Sequence, residues 1–233
     1  MAEIAMNHPG KNALGSGLIA WLEDELARAG DEPLLLTGTG DSFSAGLDLK
    51  EIAASDIEAL DRLLTRLDRL CRRLYEHPAP TVALVNGHAI AGGCVLVQCC
   101  DYRVALDAPA TRIGLNELAL GACFPPSILR IVRRRVPPRA EGEVFLGAGL
   151  FAPPDALRLG LVDAVRADAG EAARAWLARA ARHPRRTYAH TKALLTAGVA
   201  EPSAADLARF RGVELPIWTS DDLRERVRAV LAR

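Results

Sequence analysis

Two strand-to-loop junctions contain residues that can arrange backbone N–H groups for chemistry. The apolar run at residues 34–37 leads into SFSAGLDLKE, and the run at residues 81–86 leads into GHAIAGGCV. Glycine tolerates unusual dihedral angles and lets other groups approach closely, so such turns can leave amides free. The Gly92–Gly93 pair also opens a helical segment, whose first turn carries unpaired N–H donors. Two donors that converge on one oxygen would form an oxyanion hole, whereas either junction alone is typical of an ordinary strand–helix turn.

Other catalytic chemistries have no motif in this sequence. GxGxxG, GxxxxGK[ST], HExxH and GxSxG are all absent. Ser44 lies in SFSAG, which is not a nucleophile elbow, so we interpret it as a turn serine. The five histidines do not have metal-ligand spacing. We therefore predict neither a metal site nor a redox cofactor.

The elements that must position the two junctions alternate between strands and helices. Apolar runs at AEIAM, PLLLTG, TVALVN and residues 102–106 predict short strands. Apolar stripes at three- and four-residue spacing predict helices over 16–29 and 57–76. After Pro125 the pattern is mainly helical, with one more short strand near LVDAV. Strands that alternate with helices predict an α/β fold.

The last part of the chain is rich in apolar residues that need a partner surface. We divide the chain into a core over residues 1–200 and a C-terminal helical region over residues 201–233. The second region is interpreted as an oligomerisation arm, because an exposed apolar stripe marks an interaction surface. Its apolar residues are Leu207, Phe210, Leu215, Ile217 and Trp218.

Composition excludes several function classes for this chain of 233 residues. Lys plus Arg and Asp plus Glu balance at 29 each, and the arginine clusters lack interleaved aromatic residues, so we expect no nucleic-acid partner. No apolar stretch reaches the roughly 18 residues that a bilayer span requires. The five cysteines contain no CxxC pair. Reduced core thiols in a cytoplasmic protein are the expectation.

Taken together and in order, the motifs resemble those of the crotonase superfamily, the enoyl-CoA hydratases and isomerases. Asn12-Ala13-Leu14 resembles the early NAL of that family, and LLLTGTGDSFSAGLDLKE its LTG…FSAGxDLKE loop. PAPTVALVNGHAIAGGCVLVQCCDYRVA is similar to its KPxIAxVNGxAxGGGxxLxxxCDxRxA segment. IGLNELALG and GLVDAV resemble its later motifs FGxxExxLG and GLVDxV. The resemblance implies a spiral of ββα turns followed by a helical trimerisation region, and hence a homotrimer or hexamer.

The resemblance also implies roles for particular residues. The oxyanion-hole donors would be the backbone N–H groups of Leu47 and Gly92. CoA, which arrives as part of the substrate, would be bound along the first loop, and Lys50 would contact a phosphate unless it is simply a solvated lysine. The binding residues implied are Ala13, Leu14, Ser44, Asp48, Leu49, Lys50 and Gly93.

The sequence departs from the hydratase pattern at one catalytic position. Hydratases of the family carry two glutamates, and Val95 stands where the first would be; the second is present as Glu117. Addition of water suits two carboxylates, whereas a double-bond shift needs one base that removes a proton at C2 and returns it at C4. We therefore expect a Δ3,Δ2-enoyl-CoA isomerase.

Other activities remain open at this stage. A hydratase that works with one glutamate is the first alternative, and a decarboxylase or thioesterase would use the same oxyanion hole. A catalytically idle binding protein is an alternative of another class. The family usually has a further strand before AEIAM, so we expect a truncated hairpin or a late start.

Overall fold

The computed structural model describes residues 1–232, which contain two parallel β-sheets. The strands are β1 (Ala2–Met6), β2 (Leu34–Gly38), β3 (Ser42–Ser44), β4 (Thr81–Val85), β5 (His88–Ile90), β6 (Tyr102–Leu106), β7 (Ile113–Gly114) and β8 (Ala164–Arg166). The larger sheet has the order β1-β2-β4-β6-β8, and the smaller has the order β3-β5-β7. Each strand that the sequence predicted is present, some of them one or two residues shorter.

Helices surround both sheets. They are α1 (Pro9–Asn12), α2 (Ser16–Ala29), α3 (Leu49–Ala54), α4 (Ile57–Tyr75), α5 (Gly92–Gln98), α6 (Glu117–Leu120), α7 (Pro126–Arg135), α8 (Pro153–Arg158), α9 (Ala169–Ala180), α10 (Arg185–Thr196), α11 (Ala204–Arg209), α12 (Leu215–Ile217) and α13 (Asp221–Leu231). The helix predicted over 16–29 has those bounds, and the helix predicted over 57–76 ends one residue earlier. A capping carboxylate defines the start of α4, because Asp56 accepts a hydrogen bond of 2.8 Å from the Ala59 N–H.

A strand–strand–helix unit occurs three times in succession, as β2-β3-α3, β4-β5-α5 and β6-β7-α6. In each unit the first strand joins the larger sheet and the second joins the smaller. Since all pairings are parallel, the second strands end side by side at one edge. The predicted α/β fold and its spiral of ββα turns are thereby confirmed. This arrangement brings both junctions, and the start of α6, to the same place.

The C-terminal helices fold back onto their own chain. Phe210, Leu215 and Trp218 are buried in one apolar cluster with Ile52 and Leu64, which come from α3 and α4. The partner surface that these three residues require is therefore supplied within the chain. Leu207 and Ile217 remain 41% and 36% exposed.

The described residues contain no feature of a metalloprotein or of a membrane-spanning helix. All five cysteines are free thiols, and only Cys123 is not fully buried. Within residues 1–232 no group of histidine, cysteine, aspartate and glutamate side chains is placed to hold a metal ion. Across the same residues no helix combines the length and the apolar character that crossing a membrane requires.

Candidate active site

The first junction is held in place by the loop that contains Asn12. The Asn12 side-chain amide donates to the Phe43 carbonyl at 3.1 Å, and the Ser44 hydroxyl donates to the Asn12 carbonyl at 2.7 Å. Leu14 then forms an isolated parallel bridge with Leu47. Its N–H donates to the Gly46 carbonyl at 2.7 Å, and its carbonyl accepts from the amide that follows Leu47. The bridge uses the Gly46 carbonyl and the Asp48 N–H, which flank Leu47. The Leu47 N–H itself therefore has no partner among the described residues.

The second junction leaves another amide free. The Ala91 N–H donates to the Gly114 carbonyl at 2.8 Å, which fixes the turn to β7. Ala91 has a φ of +48°, and Gly92 then becomes the first residue of α5. An N–H in the first turn of a helix has no acceptor within that helix. The Gly92 N–H is therefore available to a ligand.

The two free amides lie next to each other. A methyl group placed on Gly92 would lie 3.7 Å from the Leu47 nitrogen, and one placed on Gly46 would lie 3.5 Å from the Gly92 nitrogen. Gly46 has a φ of +89°, and a Cβ there would be only 2.7 Å from the Ile90 carbonyl oxygen. The close approach of the loops thus depends on glycine at this position. Two free donors from separate loops that lie this close together are what an oxyanion hole requires.

Glu117 begins α6, and two residues separate it from the third unit's second strand, β7. Its side chain is almost fully buried, and Oε2 has no hydrogen-bond partner. Burial raises the pKa of this carboxyl from 4.5 to about 8, and a hydrogen bond from its own backbone N–H opposes part of that shift. A carboxyl group with a pKa near neutrality can both accept and return a proton.

A cavity of about 290 Å³ joins these groups. We call the part of its lining formed by Leu47, Gly92 and Glu117 the donor wall, and the part formed by Trp218 and Val230 the C-terminal wall. The remaining lining is mostly apolar and contains no cationic side chain; it is formed by Ala45, Leu49, Leu64, Leu67, Ile90, Ala91, Val95, Asn116, Leu120, Ala122, Cys123, Phe124, Pro125, Ile128 and Leu150. Glu117 is the only ionisable carboxylate among these residues, and Val95 lines the same cavity.

The structure brings together some of the residues that the sequence predicted and separates others. Leu47, Leu49, Gly92 and Glu117 all line the cavity. The other predicted residues do not line it; they are Ala13, Leu14, Ser44, Asp48, Lys50 and Gly93.

These other residues have identifiable positions around the first loop. Leu14 and Ser44 are fully buried supports of that loop. The Asp48 carboxylate caps α3 by accepting from the Lys50 N–H at 2.9 Å, and the Lys50 side chain is exposed. A Cβ on Gly93 would lie 2.4 Å from the Ser44 carbonyl oxygen, so this glycine permits close packing of α5 on the first loop.

Two cavity residues that carry buried polar atoms without partners were not predicted as site residues from the sequence. Asn116 precedes Glu117, and its Oδ1 is buried without a hydrogen-bond partner. Trp218 was assigned to an oligomerisation arm but forms part of the C-terminal wall. The GLNE motif offered a signal for Asn116, since it places a polar side chain beside the glutamate. Nothing in the spacing around Trp218 indicated that this segment returns to the first loop.

The comparisons with known proteins agree with this geometry. The family model described as "Enoyl-CoA hydratase/isomerase" matches residues 1–227. A putative enoyl-CoA hydratase of Thermus thermophilus is 33% identical over 222 residues, which cover 91% of this chain and 85% of that protein. Mouse mitochondrial enoyl-CoA delta isomerase 1 is 40% identical over 124 residues, which cover 53% of this chain but only 43% of the isomerase.

A solved structure extends the likeness to the whole fold. The crystal structure of human mitochondrial delta3-delta2-enoyl-CoA isomerase superposes with a TM-score of 0.87 at 26% identity. The superposition covers 99% of this chain and 92% of the human chain. The resemblance to crotonase-fold enzymes is therefore confirmed by sequence and by structure. The chain belongs to the enoyl-CoA hydratase/isomerase family.

Proposed function

We propose that the protein is an acyl-CoA enzyme that converts a 3-enoyl-CoA into the 2-enoyl isomer. The observation that carries this proposal is the single carboxylate of the cavity, which is Glu117. Val95, which stands at the motif position of the hydratases' first glutamate, lines the same cavity. Addition of water requires one group to activate the water and another to protonate carbon. A double-bond shift requires one base that acts twice.

The donor wall supplies a complete path for this reaction. The thioester oxygen accepts hydrogen bonds from the Leu47 and Gly92 N–H groups, which lowers the free energy of the enolate form. The Glu117 carboxylate removes a proton from C2, the electron pair of that bond moves into the dienolate, and the negative charge is held on the thioester oxygen. Glu117 then returns the same proton to C4, which forms the 2-enoyl product and regenerates the Glu117 carboxylate. Each donor contributes about 3 kcal/mol in comparable oxyanion holes.

The environment of Glu117 supports the shuttle role. Its pKa of about 8 arises chiefly from burial in the apolar cavity. A carboxylate with this pKa is a stronger base than an ordinary surface carboxylate and removes a proton from carbon more readily, since proton transfer is most efficient when the pKa lies near the working pH. No neighbouring charge is needed to explain the shift.

Hydration with one glutamate is the second candidate, because the Thermus thermophilus relative that aligns over most of the chain is named as a putative hydratase. The two activities separate in one experiment, in which isomerisation of 3-hexenoyl-CoA is compared with hydration of crotonyl-CoA. We expect turnover of the first and little of the second, since the apolar Val95 side chain offers no anchor for a catalytic water. Robust hydration of crotonyl-CoA with no isomerisation would overturn the proposal. Binding of both thioesters without turnover would identify an idle binding protein.

The CoA portion is expected to lie along the first loop and to need no further cofactor. Lys50 is exposed beside this loop and is suited to a phosphate contact. Charge reversal by Lys50→Glu should weaken binding of acyl-CoA. The matched control is Lys11→Glu, which breaks only an exposed ion pair of 2.9 Å with Asp41.

A homotrimer or hexamer is proposed for the assembled protein. Several leucines outside the cavity are strongly exposed, which favours a further interface; they are Leu118, Leu146, Leu194 and Leu195. Sedimentation equilibrium at micromolar concentration tests this directly. A particle of 25 kDa, the mass of one chain, would contradict it.

A further inference from the structure

Buried polar atoms without partners are concentrated at one place in the molecule. Among the described residues, the side-chain atoms of this kind are Asn116 Oδ1, Glu117 Oε2 and Trp218 Nε1. All three residues line the same cavity. Asn116 and Glu117 are neighbours in the chain, and the proposed reaction uses Glu117. Trp218 belongs to the C-terminal wall, and the proposed reaction does not use it.

Trp218 is only 2% exposed and packs in the apolar cluster that contains Leu64 and Phe210. An indole N–H is a donor only, and leaving it buried without an acceptor is unfavourable. Phenylalanine would give a similar apolar wall without this cost. Trp218 lines the cavity, and no protein atom among the described residues accepts from its Nε1. A group bound in the cavity is therefore the acceptor that we consider.

The lining residues restrict what that acceptor can be. No lysine, arginine or histidine lines the cavity, so an anionic group would be left without a counter-ion. Leucine, isoleucine, valine and phenylalanine side chains form most of the surface, which suits an alkyl chain. A neutral oxygen carried on an otherwise apolar chain satisfies both conditions.

We infer that Trp218 is a specificity-determining residue whose indole N–H selects acyl groups with a neutral oxygen, such as a ketone, beyond the reacting carbons. This inference rests on the proposed acyl-CoA site and names the class of acyl chain that it takes. The donor wall then acts on the thioester, and the C-terminal wall recognises the rest of the chain. A plain alkyl chain fits the same space but leaves the N–H unpaired.

The test measures binding of saturated thioesters, which contain no double bond to isomerise or hydrate. Dissociation constants of hexanoyl-CoA, 4-oxohexanoyl-CoA and 5-oxohexanoyl-CoA are measured by isothermal titration calorimetry for the wild type and for Trp218→Phe. We expect at least one oxo compound to bind the wild type ~5- to 10-fold more tightly than hexanoyl-CoA, as one neutral hydrogen bond would give. Trp218→Phe should lose this preference while it retains its affinity for hexanoyl-CoA. Trp176→Phe is the matched control, because Trp176 stacks on Tyr102 away from the cavity.

A second measurement avoids any variant at Trp218. The indole N–H resonance of Trp218 is identified by elimination with Trp21→Phe and Trp176→Phe, and we expect it to move downfield when the preferred oxo compound binds. Equal affinities for all three thioesters in the wild type, or a preference that survives in Trp218→Phe, would overturn the inference. If the protein shows no isomerase activity but keeps the Trp218-dependent preference, the proposed reaction is wrong and this inference stands. Failure to bind any of the thioesters would overturn both.

Discussion

The two walls of the cavity are held by different forces. On the donor wall, backbone hydrogen bonds fix the position of each free amide, as in the bridge between Leu14 and Leu47. On the C-terminal wall, Trp218 is held mainly by apolar packing, and the polar contacts from this segment to the rest of the chain are exposed ion pairs such as Arg211–Asp61 at 3.7 Å. Exposed pairs of this kind contribute about 0–1 kcal/mol. Backbone hydrogen bonds fix the positions of the amides that the reaction requires. Side-chain packing leaves the residues of the C-terminal wall free to differ according to the ligand that is bound.

The largest effect is expected from Glu117→Gln on the donor wall. Glutamine keeps the shape of the side chain but cannot remove a proton from C2, and the cavity lining holds no second carboxylate to replace it. The loss in kcat should exceed the roughly 10²- to 10⁴-fold that is typical of acid–base assistance. Steady-state isomerisation of 3-hexenoyl-CoA measures it, with the exposed Glu58→Gln as the control. Wild-type turnover by Glu117→Gln would show that the donor wall has been assigned the wrong base.

A smaller loss is expected from Gly92→Ala. The added methyl would lie 3.0 Å from Leu14 Cδ1 and 3.7 Å from the Leu47 nitrogen. It would therefore crowd the space beside the amides in which the proposed reaction puts the thioester oxygen. Displacing one donor of an oxyanion hole costs about 10²- to 10³-fold in kcat. Gly142→Ala is a suitable control, since a methyl there meets no atom within 4 Å. If kcat is unchanged in Gly92→Ala, the two amides do not act on the reacting oxygen.

The pH dependence of the wild type should show a further effect on the donor wall. The pKa of Glu117 is raised to about 8, so the carboxyl is mainly protonated below that pH and cannot act as a base. The kcat/KM for 3-hexenoyl-CoA should therefore rise about tenfold per pH unit up to pH 8 and then level off. Glu58→Gln should reproduce this profile. A flat profile between pH 5 and 9 would mean that Glu117 is not the essential base.

The smallest effect on the chemistry is expected from Phe210→Ala, although it should be costly for stability. Phe210 is 4% exposed in the cluster beneath the C-terminal wall. Truncation of a buried phenylalanine lowers the free energy of unfolding by about 3–5 kcal/mol. Urea unfolding measures this loss, and kcat of the folded fraction should stay close to that of the wild type. A fall in kcat comparable to that of Gly92→Ala would show that the two walls are not independent.

Much of the donor wall could be predicted from the sequence because its parts are local. The free amide at Gly92 follows from a glycine pair at the start of a helix, and the support from Asn12 lies in a short motif. The predicted helix over 16–29 is likewise encoded in its own apolar spacing. The resemblance to a family then assigned Glu117, whose burial and raised pKa no local pattern contains.

The C-terminal wall could not be predicted in the same way. Its apolar residues indicate that a surface must cover them, but they do not indicate which surface. Trp218 lies more than 150 residues from Leu64, with which it shares a cluster, so the contact depends on the whole spiral between them. The assignment of Ala13, Leu14 and Ser44 to binding was also made from motif position, whereas Ser44 and Leu14 are buried beneath the loop that they support. Their role in CoA binding stays a prediction.

The order of strands in the larger sheet has a consequence for synthesis on the ribosome. From one edge to the other the strands follow chain order, β1-β2-β4-β6-β8, so each new strand pairs with one that has already been made. The sheet can grow vectorially, one unit at a time, without displacing an earlier strand. The whole donor wall has emerged by Glu117, well before β8 (Ala164–Arg166) covers the open edge of β6. A nascent chain therefore presents an unpaired strand edge over this interval, which is when strand-to-strand aggregation is most probable and chaperone protection most useful.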